Sequence, residues 1–131
     1  MFGSFSNFWE EAIVKHVTKI AAYAQPDLFC ALSTADPLDT GAGVAEPVGG
    51  AYVRVAVAAW SWNAGQSRAE NAGAVNFPAA TGAWGTITHF AFFDLVAAGN
   101  FCAHGQLPQA KTVGIGDTIQ FPAGQLTIAM D

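Results

Sequence analysis

The chain has 131 residues, a hydrophobic fraction of 52%, ten acidic and five basic side chains, and a formal charge of −5. One domain of this size buries a core without disulfide staples. So apolar a composition excludes a disordered chain, and five scattered Lys and Arg exclude a nucleic-acid partner, which needs clustered basic residues.

A compact monomer of this mass exposes roughly 6,600 Å². Fifteen charges leave that surface sparsely covered, so much of it is expected to lie against other protein. No apolar run reaches the ~18 residues of a membrane-spanning helix, and no membrane partner is expected. The start carries no early positive charge and turns acidic at Glu10 and Glu11, so synthesis in a cytosol without a secretory signal is expected.

Residues 7–24 predict an amphipathic helix. Asn7 stands as N-cap, with Glu10 three residues on completing a capping-box pattern. Trp9, Ile13, Val17, Ile20 and Ala24 share one face, and Pro26 stops the helix. Phe2, Phe5 and Phe8 precede or open it, and either close over the domain's own core or dock on a neighbour. The division is a single domain over 1–131, with a Phe-rich segment and helix in 1–26 and a β domain in 27–131.

Beyond the helix the period becomes two. A strand is expected over Leu28–Thr34, then a polar, glycine-rich loop over 36–50. Ala51–Ala58 follows as a strand with Val53, Val55 and Val57 on one face and Tyr52, Arg54 and Ala56 on the other. Residues 60–71 show poor periodicity. Short strands are predicted near 73–77, 85–94, 100–107, 111–113, 118–121 and 125–130. Turns fall at Gly114–Asp117 and at Phe121–Gly124, with Pro122 in the second position. Phe77–Pro78–Ala79 and Phe121–Pro122–Ala123 read alike, as strand ends before turns. The fold class is mainly β: an antiparallel β-sandwich or barrel, jelly-roll-like, with one N-terminal amphipathic α-helix.

The residues carry little chemistry. His16, His89 and His104 are the acid–base candidates. Cys102 and His104 alternate onto one strand face as two zinc ligands would, but two further ligands at metal-site spacing are missing, so no metal or other cofactor is expected. Cys30 and Cys102 read as reduced, buried thiols. There is no nucleophile elbow, phosphate loop or paired carboxylates, and no enzyme is expected. Trp60, Trp62, Trp84, Phe90, Phe92 and Phe93 could form a sugar platform. Few polar residues accompany them to orient a ligand, which favours core and subunit interface.

The segments LFCALSTADP, GGAYVRVAV, AVNFPAATGAWGTITHFAFFD and KTVGIGDTIQFPAGQLTIAMD together resemble a family of small tailed-bacteriophage virion proteins, tail-fibre-like or capsid decoration and cement proteins. The resemblance covers about four fifths of the chain. It implies a structural part of a virion: a decoration protein, homotrimeric by class, on the outer shell where major capsid subunits meet. Phe2, Phe5, Phe8, Trp9, Trp60, Trp62 and Trp84 are the candidate interface residues, with the loops at 36–50 and 60–72 reaching neighbours. The alternative is a tail or fibre component that binds host glycans through Trp60, Trp62 or Trp84.

Overall fold

A computed structural model describes residues 3–130. In chain order the elements are β1 (Gly3–Phe5), α1 (Asn7–Val17), β2 (Phe29–Ser33), β3 (Val55–Ala56), β4 (Trp60–Asn63), β5 (Arg68–Asn71), β6 (Val75–Asn76), β7 (Gly85–Phe93), β8 (Phe101–Val113), β9 (Gln120–Phe121) and β10 (Thr127–Ile128). The fold is mainly β with one helix. A five-stranded antiparallel sheet runs β1-β8-β7-β2-β3, beside a three-stranded sheet β10-β5-β4 and a two-stranded pair β6-β9. The sheets pack as layers rather than closing into a barrel.

The large sheet is apolar on both faces. Cys30, Leu32, Phe90 and Phe92 face the main core, where Phe92 meets Trp60 edge-on at 5.3 Å and Phe90 meets Phe121 at 6.5 Å. Ala31, Ala91 and Phe93 face the other way, against Val44 and Phe101. Part of the loop expected to reach neighbours thus covers the sheet's second face, and the Ala45 carbonyl accepts from the Thr34 N–H. Glycine is required in this loop at Gly43, where an added Cβ would lie 2.0 Å from the Asp36 carbonyl oxygen.

The helix is shorter than its apolar periodicity predicts, and its N-cap lies one residue earlier. Ser6, not Asn7, is the N-cap, its hydroxyl accepting from the Trp9 N–H, so Glu10 falls outside capping-box position. The helix ends in a Schellman pair: the Lys19 N–H bonds the His16 carbonyl and the Ile20 N–H bonds the Lys15 carbonyl. Lys19 takes φ 64° there, where glycine is usual. The chain then turns back, and the Tyr23 N–H donates to His16 Nδ1. Val17 and Ile20 are left in solvent rather than on a buried stripe.

Three strand expectations also change. The strand expected over Ala51–Ala58 contributes only the two residues of β3, because Gly49, Gly50 and Ala51 all take positive φ. Of the two expected faces, Tyr52 and Arg54 turn in, while Val53 is exposed. Residues 60–71 form a regular hairpin, β4–β5, closed by a turn in which Asn63 accepts from the Gln66 N–H through both its carbonyl and its Oδ1. The strands predicted at 100–107 and 111–113 are one strand, β8, in which Leu107–Ala110 bulge opposite Thr88 alone. Pro108, with no N–H to offer a ladder, sits in that bulge.

The Phe-Pro-Ala echo has a structural counterpart. β6 and β9 pair directly, Val75 opposite Phe121, and the Phe77 and Phe121 rings meet edge-on at 6.2 Å. The chain ends also meet. β1 lies between β8 and the C-terminal segment, with the Ala129 N–H bonded to the Gly3 carbonyl. A Cβ at Gly3 would fall 2.0 Å from the Thr127 carbonyl oxygen, so only glycine permits this approach.

Candidate functional site

The meeting of the two chain ends with the β4–β5 hairpin leaves a groove of about 600 Å³. Phe5, Trp9 and Ile13 form one wall, Trp60, Trp62 and Ala69 the other, and Ile128 to Met130 close the end, with Leu28 and Ser67 also lining it. Apart from the tryptophan indole N–H groups, Ser67 supplies the only polar side chain among the described residues that line it.

Each wall is held from behind. Ser6 is fully buried, and its hydroxyl donates to the Phe101 carbonyl while accepting from the Trp9 N–H, which fixes where α1 leaves β8. Trp9 then packs edge-on against Phe5 at 5.1 Å, its indole N–H donating to the Tyr23 hydroxyl at 2.8 Å. Across the groove Trp60 rests on Phe92. Two residues on, and so on the same face of β4, Trp62 stands 68% exposed at the rim. Arg68 and Glu70 pair at 2.9 Å, with Asn63 Nδ2 donating to the same carboxylate, which stiffens the hairpin that presents both indoles.

Of the seven expected interface residues, the structure gathers Phe5, Trp9, Trp60 and Trp62 into this groove. Phe2 lies outside the described residues. Phe8 is on another side of α1, edge-on to Tyr23 in a separate shallow cleft. Trp84 is corrected to a core residue. It is 3% exposed, donates its indole N–H to the Gly50 carbonyl and packs edge-on to Tyr52 and Phe77, so no face is left for a neighbour. Sequence reasoning missed Met130, predicted only as the end of the strand near 125–130 and found 75% exposed at the groove's end.

The titratable groups do not converge. His104 Nε2 pairs with Asp39 Oδ1 at 2.9 Å, its ring stacked on Phe101. His89 Nδ1 bonds Thr88 Oγ1. Cys102 and His104 do not share a face. Phe92 pairs with Ala103 and Phe93 with Phe101, so Cys102 is the extra residue of a bulge; it joins Ala103 in the main core while His104 stays beside Phe101. Both cysteines are free and buried. Burial pushes the Cys30 thiol far up, and burial together with the nearby Asp94 charge pushes Cys102 up to about 12. Among the described residues no three His, Cys, Asp or Glu side chains gather as metal ligands, and no helix is long and apolar enough to cross a membrane.

A family model described as podophage GP4 fiber I protein gp80 matches residues 4–129, nearly the whole chain. No curated protein matches the sequence.

Proposed function

Because the chain belongs to the podophage GP4 fiber I protein gp80 family, we infer that it is a structural component of a phage virion and that it works as part of the tail fibre apparatus. The family match over residues 4–129 carries this reading. The groove supports a part that works by contact: among the described residues its walls bring rigid aromatics together with few polar groups of the kind that catalysis or sugar recognition needs. Its partners on this reading are further copies of itself and neighbouring virion proteins.

A capsid decoration protein bound over seams of the major capsid protein is the second reading. The low charge and the apolar groove suit a shell seam as well as a fibre joint, but the family's description names a fibre. Immunogold electron microscopy of intact particles separates the two. Label confined to the tail or its fibres is the expected result. Even label over the head selects decoration, and unlabelled particles overturn the virion assignment. A broad glycan panel tests the receptor-binding variant of the fibre reading, with Trp60→Ala and Trp62→Ala as the variants that must lose any binding found.

A further inference from the structure

The groove does not stop at its own rim. Phe5, Ile13 and Met130 also wall an adjoining cleft that runs onto Val14 and is edged by Glu10. From there the apolar surface continues to the free end of α1, where Val14, Val17 and Ile20 are 56%, 69% and 71% exposed. The helix's charged pair, Glu11 with Lys15, lies elsewhere and lines the cleft beside Phe8. One contiguous patch therefore carries both an apolar concavity and an apolar knob, the latter made compact by the Schellman turn.

We propose that the groove between α1 and the β4–β5 hairpin receives the exposed helix end of a second copy of this chain, Val17 and Ile20 entering beside Trp62. Because knob and groove adjoin, a symmetric pair buries both on each copy. Covering Trp62, Met130, Val14, Val17 and Ile20 on two copies removes on the order of 1,200 Å² from water, the lower bound for a specific stable interface. A second exposed apolar group, Val48, Val53 and Val96, gathers beside the Glu46–Arg54 pair rather than at the groove. The inference deepens the reading of the chain as a self-associating virion part and rests on it for its biological setting. Its test uses the purified chain, so it fails or holds independently of where label falls on a particle.

The test is sedimentation velocity on the full chain across a concentration series, with Trp62→Glu and the double variant Val17→Glu/Ile20→Glu. All three sites are exposed, and circular dichroism checks that the fold is kept. The wild type is expected to self-associate, and each variant to do so at least ten-fold more weakly. Mixing differently tagged Ile20→Cys and Trp62→Cys chains under oxidation is expected to give the mixed disulfide, with little background because Cys30 and Cys102 are buried. A wild type that stays monomeric overturns the proposal and points to another virion protein in the groove. Association that both charged variants retain, or cross-linking without the mixed species, also overturns it.

Discussion

The Arg54 guanidinium carbon lies 3.7 Å from the centre of the Phe93 ring, on the face of the large sheet away from the main core. The same guanidinium donates from Nε and Nη2 to the two oxygens of Glu46, and from Nη1 to the carbonyls of Leu95 and Ala98. One cation thus ties the long loop before β3 to the β7–β8 connection. Lysine reproduces the charge but neither the fork nor the planar stacking. Arg54→Lys is expected to cost about 2 kcal/mol, and Arg54→Ala about 3 kcal/mol because it leaves Glu46 partly buried and unpaired. Urea denaturation reads both, and an Arg54→Lys midpoint equal to wild type would show that the clamp is ornamental.

The same clamp sets a pH window. Burial pushes the Glu46 carboxyl up, but hydrogen bonds from Arg54 and Tyr52 and the Arg54 charge outweigh it and leave the group below its ordinary 4.5. A carboxyl depressed on folding contributes stability that is fully present above the unfolded value and fades as pH falls through the folded one. Stability is therefore expected to drop below about pH 4.5, with Glu46→Gln flattening that part of the profile. Thermal melts at pH 3 to 7 on both proteins decide it; parallel profiles would remove Glu46 as the cause.

Ser6 joins the helix to the sheet, since its hydroxyl caps α1 and donates to the Phe101 carbonyl while its N–H bonds the Cys102 carbonyl. Ser6→Ala removes the cap and leaves a buried carbonyl short of a donor, for an expected loss of about 2 kcal/mol. Loss of Trp9 protection from a fluorescence quencher should accompany it. Unchanged stability and quenching would place the helix anchor elsewhere.

What could be read from the sequence was what local pattern controls. The mainly β class and the strands around Phe29–Ser33 and Gly85–Phe93 follow from alternation, and Phe5, Trp9, Trp60 and Trp62 stood out as interface candidates by their aromatic side chains. Positions set by long-range contacts were not legible. Tyr52 turns inward because its hydroxyl accepts from the Leu32 N–H and donates to Glu46. Trp84 is buried because the Gly50 carbonyl takes its N–H. Cys102 changed face through a bulge that no periodicity announces. The β4–β5 hairpin left a trace in Asn63–Ala64–Gly65–Gln66, a turn sequence between strands too short to show alternation. Helix length was over-read because apolar spacing continued to Ala24 while the backbone had already reversed at Lys19.

That reversal is itself testable. A non-glycine residue at φ 64° pays a steric cost that glycine avoids, and the turn's own hydrogen bonds are backbone bonds that Lys19→Gly keeps. Lys19→Gly is expected to raise stability by about 1 kcal/mol, against the usual direction of a glycine substitution. A lowered urea midpoint would mean that Thr18 to Ile20 does not hold the left-handed turn in solution.

Asn71 is the most connected buried polar side chain of the smaller sheets. Its Nδ2 donates to the carbonyls of Gly73, Phe121 and Pro122, and its Oδ1 accepts from the Leu126 N–H, joining β5 to the β9–β10 connection that carries the chain toward the groove. Asn71→Ala takes one donor from each of those carbonyls, leaving Pro122 the Gln125 N–H, strips the Leu126 N–H of its Oδ1 acceptor, and is expected to cost about 3 kcal/mol. Asn71→Asp tests the donor role more sharply. An ionised carboxylate keeps the Leu126 bond but turns acceptors toward three carbonyls, so at pH 7 it should be worse than alanine. Protonation restores one donor. The folded carboxyl is thereby pushed above its unfolded value, and the variant's stability must fall as pH rises through the folded one. Urea midpoints at pH 4 and 7, each taken against wild type at the same pH, should show the Asn71→Asp deficit shrinking in acid; a deficit that stays constant would mean that the amide's donors are not what joins these strands.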